Sequence, residues 1–456
     1  METPVQPGQK VQLEITSYGH EGEGVGRYQN FTLFIPGALK GEAVEAKVTE
    51  IKKNFARGRL LRIIEEIPER RIPACPVYHE CGGCQLQHLS YPAQLALKRQ
   101  QVMDAVERIG GLTGVTVHPT LGMKEPRCYR NKVQYPLAME NGKVSAGFYR
   151  KGTHQIVPVT GCLLHSELSN RIVAAVVQKI EENHVPIYNE RTGSGLLRHV
   201  LIKNAFATGE MMVVLVTNGE KFPSGSKIAT ELMTEFPAIR SVVQNINRSR
   251  GNVILGNQSV VLGGSDAIQD ILGGLKFKIS ARSFFQVNPV QTEVLYEKAV
   301  DYAGLAGTET VLDAYCGVGS LTLFLARRAR AVYGIEVVPE AIRDARENAA
   351  LNEMKNVQFL VGETERVLPE LARQGIHFDV ATVDPPRAGC EPELLRSLAV
   401  NGVGRIVYVS CNPSTLARDL KLLGELGYKT MEIQPVDMFP QTYHVETVVL
   451  MSRKDK

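Results

Sequence analysis

Tryptophan is absent from the 456 residues, so stacking on a nucleobase would fall to Phe, Tyr, His or Arg. No apolar run reaches the roughly 18 residues of a membrane span, which excludes a transmembrane helix. The start, Met1-Glu2-Thr3-Pro4-Val5, has no signal-peptide core, and this predicts a cytoplasmic protein. Thiols stay reduced there, so the eight cysteines are expected as metal ligands, nucleophiles or core filler rather than disulfides. A surplus of one charge is also lacking. Against 52 Lys and Arg stand 48 Asp and Glu, so any nucleic-acid surface must be local. No internal repeat or low-complexity tract occurs, and the length suggests about three domains.

What is present begins with a run of β-formers, Ile406-Val407-Tyr408-Val409-Ser410, halted by Cys411-Asn412-Pro413. A buried strand ending in an Asn-Pro turn would put the Cys411 thiol at the carboxyl end of a sheet, where open α/β folds bind ligands. Val383-Asp384-Pro385-Pro386-Arg387 ends a second strand-like run the same way, its prolines stiffening the loop behind Asp384. The predicted strands are Thr310–Ala314, Ala331–Glu336, Val357–Val361, Val380–Val383, Arg405–Ser410 and Thr447–Met451. They alternate with helix-like runs over 291–303, 320–328, 339–352, 392–399 and 414–426. This alternation predicts a multi-domain α/β protein whose carboxyl half is a doubly wound, mostly parallel, Rossmann-like domain.

Asp313-Ala314-Tyr315-Cys316-Gly317-Val318-Gly319-Ser320 is a strand running into a glycine turn and a helix. Gly317 and Gly319 allow close backbone approach to a ligand, and Glu336, 19 residues after Gly317, is spaced to hold ribose hydroxyls. A tight turn with a surface Glu has the same pattern. No Lys-Ser/Thr follows the glycines, which excludes a P-loop, and only two glycines make an incomplete dinucleotide fingerprint. S-adenosylmethionine, with no pyrophosphate to cradle, fits better than a nicotinamide cofactor.

Carbon 5 of a pyrimidine becomes nucleophilic when a thiolate adds to carbon 6, and a base must later remove the carbon-5 proton. That chemistry needs a cysteine and a carboxylate together. Cys411 is the candidate nucleophile, although a cysteine at a strand end is more commonly buried filler. Glu446, in His444-Val445-Glu446 before the terminal strand, is the candidate base, although a lone carboxylate is usually solvated.

Residues 10–64 read as short glycine-punctuated strands, suggesting a small OB-like barrel. Lys52, Lys53, Arg57, Arg59 and Arg62 suit either a charge-protected edge or a phosphate-tracking face. From about 115 to 280 the pattern is mainly β. Lys124, Arg127, Arg130, Lys132, Lys143, Arg150 and Lys151 suit a basic groove or a solvated face. Between barrel and central region, Cys75, Cys81 and Cys84 have C-x5-C-x2-C spacing, a metal signal whose fourth ligand is Cys162, Cys128, His79 or His88. Zinc and iron–sulfur both suit thiolates; the x5 gap leans toward iron–sulfur. Cys316 and Cys390 read as packing residues.

With Ser283-Phe284-Phe285-Gln286-Val287-Asn288 added to these motifs, the whole chain resembles the RNA (uracil-5-)-methyltransferases. Within them it is similar to the 23S rRNA enzymes with a TRAM domain and a 4Fe–4S cluster. The resemblance implies a TRAM barrel over 1–66, a cluster segment over 67–92, a central domain over 93–285 and a methyltransferase domain over 286–456. It implies S-adenosylmethionine contacts at Gln286, Tyr315, Gly317, Ser320, Glu336, Glu363 and Asp384. It implies Cys411 as nucleophile, Glu446 as base with Asp384 beside them, and Cys75, Cys81, Cys84 and Cys162 as cluster ligands. The implied partner is 23S rRNA, because the tRNA-directed branch is taken to lack the barrel and cluster segments; no protein partner is implied. A tRNA uracil-5 enzyme, an RNA cytosine-5 enzyme and a non-catalytic RNA-binding or assembly factor are the alternatives.

Overall fold

The computed structural model describes residues 3–140 and 142–454. Strands β1 (Lys10–Tyr18), β2 (Gly24–Tyr28), β3 (Phe31–Ile35), β4 (Ala43–Ile51) and β5 (Phe55–Glu65) close into a barrel in the order β1-β2-β3-β5-β4. The inward side chains alternate along β1, where Val11, Leu13 and Ile15 are buried and their neighbours exposed. The basic face of β5 is largely answered by β4. Glu50 pairs with Lys52 and Arg57, and Glu45 with Arg62.

Next come α1 (Tyr91–Arg108), β6 (Thr116–Val117), β7 (Lys132–Glu140), β8 (Lys143–Tyr149), β9 (Ile156–Pro158) and α2 (Glu167–Glu182). They are followed by β10 (Leu197–Asn204), β11 (Met211–Thr217), α3 (Gly225–Glu235), β12 (Ile239–Ile246), β13 (Gln258–Gly264), β14 (Ala267–Leu272) and β15 (Leu275–Ser280). A 7-stranded sheet of order β13-β12-β11-β10-β7-β8-β9 forms the centre. One face packs Val213 and Leu215 against Ile172 and Val176 of α2 and Ile228 and Leu232 of α3. The other face, with Met212, Val214 and Val216, shares a core with the β14–β15 hairpin and the carboxyl half.

The carboxyl half contains α4 (Pro289–Ala303), β16 (Thr310–Ala314), α5 (Ser320–Ala326), β17 (Ala331–Glu336), α6 (Pro339–Leu351) and β18 (Val357–Val361). It continues through α7 (Thr364–Arg373), β19 (Val380–Val383), α8 (Pro392–Val400), β20 (Arg405–Ser410), α9 (Pro413–Glu425), β21 (Tyr428–Val436) and β22 (Glu446–Arg453). The sheet order is β18-β17-β16-β19-β20-β22-β21-β6. The first five strands are parallel, and β22 runs antiparallel to β20. Along β16, Val311 faces a core with α4, α5 and α6, while Leu312 faces one with α1, α7, α8 and α9. Helices therefore cover both faces.

The sheet of the carboxyl half also takes in chain from before residue 286. Residues 91–117, expected in the central part, supply helix α1 to one face and edge strand β6, which pairs with β21. The β14–β15 hairpin likewise packs against the carboxyl half. Among the described residues, no helix is long and apolar enough to cross a membrane.

Candidate active site

In the parallel part of the sheet, the chain moves outward from β16 to β17 and β18, then returns to the other side of β16 for β19 and β20. The carboxyl ends of β16 and β19 thus flank the switch point, where open α/β sheets bind ligands. A cavity of about 980 Å³ opens there. Its lining includes Gln286, Tyr315, Gly317, Ser320, Glu336, Asp384, Cys411 and Glu446. Tyr315 and Gly317 follow β16, Ser320 opens α5, Glu336 ends β17, Asp384 follows β19, Cys411 follows β20 and Glu446 opens β22, and the topology gathers them at one end of the sheet. Glu363 is not among the lining residues; its carboxylate pairs with Arg366 at 2.6 Å.

The glycine turn has a specific geometry. Tyr315 (φ 62°), Gly317 (φ 55°) and Gly319 (φ 79°) all lie in the left-handed region. A Cβ on Gly317 would meet nothing within 4 Å, so this position opens onto ligand space. A Cβ on Gly319 would lie 2.9 Å from the Phe359 ring and 3.1 Å from Ala345, so this glycine serves helix–strand packing. Glu336 folds back under the turn, accepting from Gly317 N–H (3.3 Å) and Val338 N–H (3.0 Å). Tyr296 and Ser320 share a hydroxyl hydrogen bond of 2.8 Å, which fixes the Ser320 rotamer. Sequence reasoning missed Tyr296, whose position on an apolar helix face resembles core.

The carboxylates are short of cations. Asp313 lies beneath the site, accepting from Thr322 (2.5 Å) and Thr382 (2.7 Å); burial raises its pKa to about 6 against those bonds. Burial, and then the neighbouring Asp313, pushes Asp384 up to about 7. Glu446 is held well above the ordinary carboxylate range, first by burial and then by Asp384. Arg387 pulls Glu446 the other way.

Cys411 sits between the last residue of β20 and the N-cap of α9. Asn412 caps that helix, its side chain accepting from Ser414 N–H (3.0 Å), with Pro413 in the first turn. The Asn412 amide also donates to Arg387 O (3.2 Å), tying the Cys411 turn to the Asp384-Pro385-Pro386-Arg387 loop. Burial, then Glu446 and Asp384, raises the Cys411 thiol to about 11, and Arg387 opposes them. Cys411 also lines a second groove of about 400 Å³, bounded by Tyr18, Gly19 and His20 of the barrel and by Gln101, Asp104 and Arg108 of α1. Arg387 and His444 are common to both spaces, so the thiol stands where the groove meets the cavity. His444, its pKa pushed down to about 4 mainly by burial, lies 4.2 Å from the Tyr443 ring, centroid to centroid.

Cys75, Cys81, Cys84 and Cys162 line a separate cavity of about 260 Å³, although 78 residues separate Cys84 from Cys162 in sequence. Cys128 is exposed, and His79 and His88 do not line that cavity. Burial raises Cys84 to about 12, with Cys162, Cys81 and Cys75 raising it further. Among the described residues, no three His, Cys, Asp or Glu side chains form a group able to hold a metal ion. Cys316 and Cys390 are buried in the core, as their motifs indicated. Of the expected basic groove, Arg150 and Lys151 are committed to Glu80 and Glu21.

Comparison with known proteins places this geometry. Residues 90–454 match the family model of tRNA (uracil-5-)-methyltransferases, and residues 4–61 match the TRAM domain. A protein of Bacillus cereus described as an uncharacterized RNA methyltransferase is 50% identical over 456 residues, covering 100% of this chain and 99% of that one. A similarly described protein of Clostridium tetani is 49% identical, covering 98% and 97%. The crystal structure of Pyrococcus abyssi tRNA (uracil-54, C5)-methyltransferase in complex with S-adenosyl-L-homocysteine superposes with a TM-score of 0.77 at 29% identity. That match covers 97% of this chain and 100% of the other. The uncovered 3% of 456 residues is about 14, too few to contain the 4–61 barrel. A tRNA-directed relative therefore has a counterpart of the barrel, and the barrel cannot by itself mark an rRNA enzyme.

Proposed function

This chain belongs to the tRNA (uracil-5-)-methyltransferase family and is an RNA methyltransferase, and we propose that it methylates carbon 5 of uridine in 23S rRNA through a covalent adduct of Cys411. The observation that carries the mechanism is the convergence of Cys411, Glu446 and Asp384 with the glycine turn on one cavity.

S-adenosylmethionine, when bound, supplies an electrophilic methyl group. The residues present fit it. Three buried carboxyls, Asp313, Asp384 and Glu446, have their pKa values raised, with Arg387 opposing the rise at Glu446, and such a site favours a positively charged ligand. Gly317 leaves room for close approach, and Gln286, Tyr315, Ser320, Glu336 and Asp384 would hold the donor. Glu363, engaged with Arg366, has no part in this reading.

The target base enters from the groove between barrel and α1, unstacked from its strand because carbons 5 and 6 are otherwise shielded. Cys411 gives its proton to the Asp384 carboxylate and its sulfur bonds to carbon 6; the displaced electron pair moves through the ring to oxygen 4. Arg387 is the cation that favours the thiolate. Carbon 5, pushed by the electron pair returning from oxygen 4, bonds to the methyl group, and the pair of the broken methyl–sulfur bond leaves with the donor as a neutral thioether. Glu446 then removes the proton from carbon 5, and the carbon–sulfur bond breaks, returning the thiolate. Asp384, with a pKa near 7, is placed beside both groups to buffer these proton movements.

The thiol nest supports a 4Fe–4S cluster held by Cys75, Cys81, Cys84 and Cys162. The donor set is wholly sulfur and all four thiols line one cavity, which supports the reading, although they are not drawn together into a group that would hold a single metal ion. Protein purified without oxygen should contain iron and absorb visible light, and Cys162→Ser should lose both. Zinc in place of iron would reject this assignment.

The motif set supports 23S rRNA; the 67–92 segment bearing Cys75, Cys81 and Cys84, like the barrel, is too long to fall outside the match to the tRNA-directed relative and does not separate the two. The Pyrococcus abyssi relative favours tRNA as the second reading. Nucleoside mass spectrometry of both RNAs from cells lacking the protein separates them. Loss of 5-methyluridine from 23S rRNA supports the first; loss from tRNA alone supports the second; loss of 5-methylcytidine instead would overturn the uracil reading.

A further inference from the structure

From Asp437 to Val445 the chain crosses from the end of β21 to Glu446, carrying Phe439, Tyr443 and His444 along the rim of the site. The segment is neither helix nor strand. Buried polar groups from distant parts of the chain hold it instead. Lys98, fully buried on α1, donates to the buried carboxylate of Asp437 and to Phe439 O (3.1 Å). Asn288 donates to Met438 O (3.0 Å), Gln291 to Asp437 O (3.1 Å), and the Tyr129 hydroxyl to Pro440 O (3.1 Å).

Gln441 is the centre of this anchorage. Its φ of 71° is one that a side-chain-bearing residue keeps only when its surroundings impose it. The buried amide of Gln94 does so. Its oxygen accepts from Gln441 N–H (3.1 Å), and the two N–H groups of its nitrogen are shared among Leu86 O and Leu89 O (2.9 Å each) and Gln441 Oε1 (3.1 Å). On the other side, the Gln441 carbonyl accepts from the N–H groups of both Gln85 and Leu86 (3.0 Å each). Gln85 directly follows Cys84. Its side chain donates to Gly82 O (2.8 Å), and its own carbonyl accepts from the Tyr78 hydroxyl (2.7 Å). A continuous set of hydrogen bonds thus runs from the turn bearing Cys81 and Cys84, through Gln85 and Leu86, to Gln441, five residues before Glu446.

We propose that Gln441, clamped by Gln94 and the 85–86 backbone, is a positioning residue that couples the cysteine nest to the catalytic base. A filled nest fixes the 81–86 turn, the turn fixes Gln441, and Gln441 fixes the approach of the chain to Glu446. An empty nest loosens the base. The nest then serves catalysis through Glu446, more than 350 positions beyond Cys84 in sequence, without touching RNA. This inference rests on the assignment of the four cysteines and Glu446 above.

Hydrogen exchange of the full-length protein, as purified and after chelator removal of its iron, tests it. Amides of 438–446 should exchange on the order of tenfold faster in the stripped protein, with β16 amides unchanged. No change at 438–446, or an equal rise in β16, would overturn the coupling. In iron-loaded protein, Gln94→Met should keep its iron and its KM for RNA, exchange faster at 438–446, and lose roughly 10²-fold in kcat, as a displaced catalytic group does. Unchanged kcat, or a defect in KM alone, would also overturn it; if that variant fails to fold, the comparison on unaltered protein decides. Exchange does not depend on which base is methylated. Absence of uridine methylation would therefore defeat the functional reading while leaving this measurement intact.

Discussion

Cys411 and Glu446 are the next residues on each side beyond Ser410 and Thr447, the last pair in register between antiparallel β20 and β22. Neighbouring strands at such a pair are about 5 Å apart. The sheet therefore delivers a thiol and a carboxylate to one edge, although 35 positions separate them in sequence. A parallel terminal strand would have put Glu446 at the opposite end. The antiparallel reversal of β22 is what makes this pair available.

The thiol in this arrangement should be indispensable for turnover but not for loading the methyl donor. Cys411→Ala is expected to reduce single-turnover methylation by on the order of 10³-fold or more. Calorimetric binding of the donor should stay close to that of the unaltered protein, because the glycine turn and Glu336 remain. Loss of donor binding with the thiol would show that Cys411 belongs to the donor site.

The raised carboxyls make the site a local burden on stability at high pH. The folded pKa of Asp384, about 7, lies above its ordinary 3.8, so between those values the folded protein retains a proton that the unfolded chain has released. Stability from this group is full below pH 3.8 and is lost as pH rises through about 7. Asp384→Asn should therefore melt higher than the unaltered protein at pH 8, by about 2–4 °C, with the gap closing toward pH 4. A gap that widened toward acid would mean that Asp384 is stabilised as an anion.

The two glycines of the turn should separate function from folding. Gly317→Ala, at φ 55°, costs about 1 kcal/mol in backbone strain and adds a methyl group into open ligand space, so its larger effect should be on donor binding. Gly319→Ala drives a methyl group against Phe359 and Ala345 and should cost about 1–3 kcal/mol of stability. Chemical denaturation paired with donor titration checks both, and the reverse order of effects would contradict the assignment.

Much of the catalytic half was legible because its strands are buried on both faces. Val380–Val383 and Arg405–Ser410 read as continuous apolar runs, and both coincide with β19 and β20. Helix α7 was missed because Pro369 interrupts its pattern. Strand β21 was missed because Pro435 and a register shift near Thr430 and Glu432 spoil its alternation. The return of residues 91–117 to the far edge of the sheet has no local signature; only the pairing of β6 with β21 reveals it. In the site, Cys411, Asp384 and Glu336 announced themselves by ending strands. Tyr296, Asp313, Gln94 and Gln441 did not, since their importance lies in partners far away in sequence. On β5, Arg57 and Arg62 are answered by Glu50 and Glu45 of the neighbouring strand, partners that a local reading does not reveal.

The account turns on Glu446 taking a proton from a base already bonded to Cys411. The most direct measurement mixes Glu446→Gln protein with substrate RNA and S-adenosylmethionine, then resolves the products on a denaturing gel with mass analysis. The expected product is a stalled protein–RNA conjugate that carries the added methyl group and disappears when Cys411→Ala is combined with it. Normal release of methylated RNA, or a conjugate that survives loss of Cys411, would contradict the mechanism.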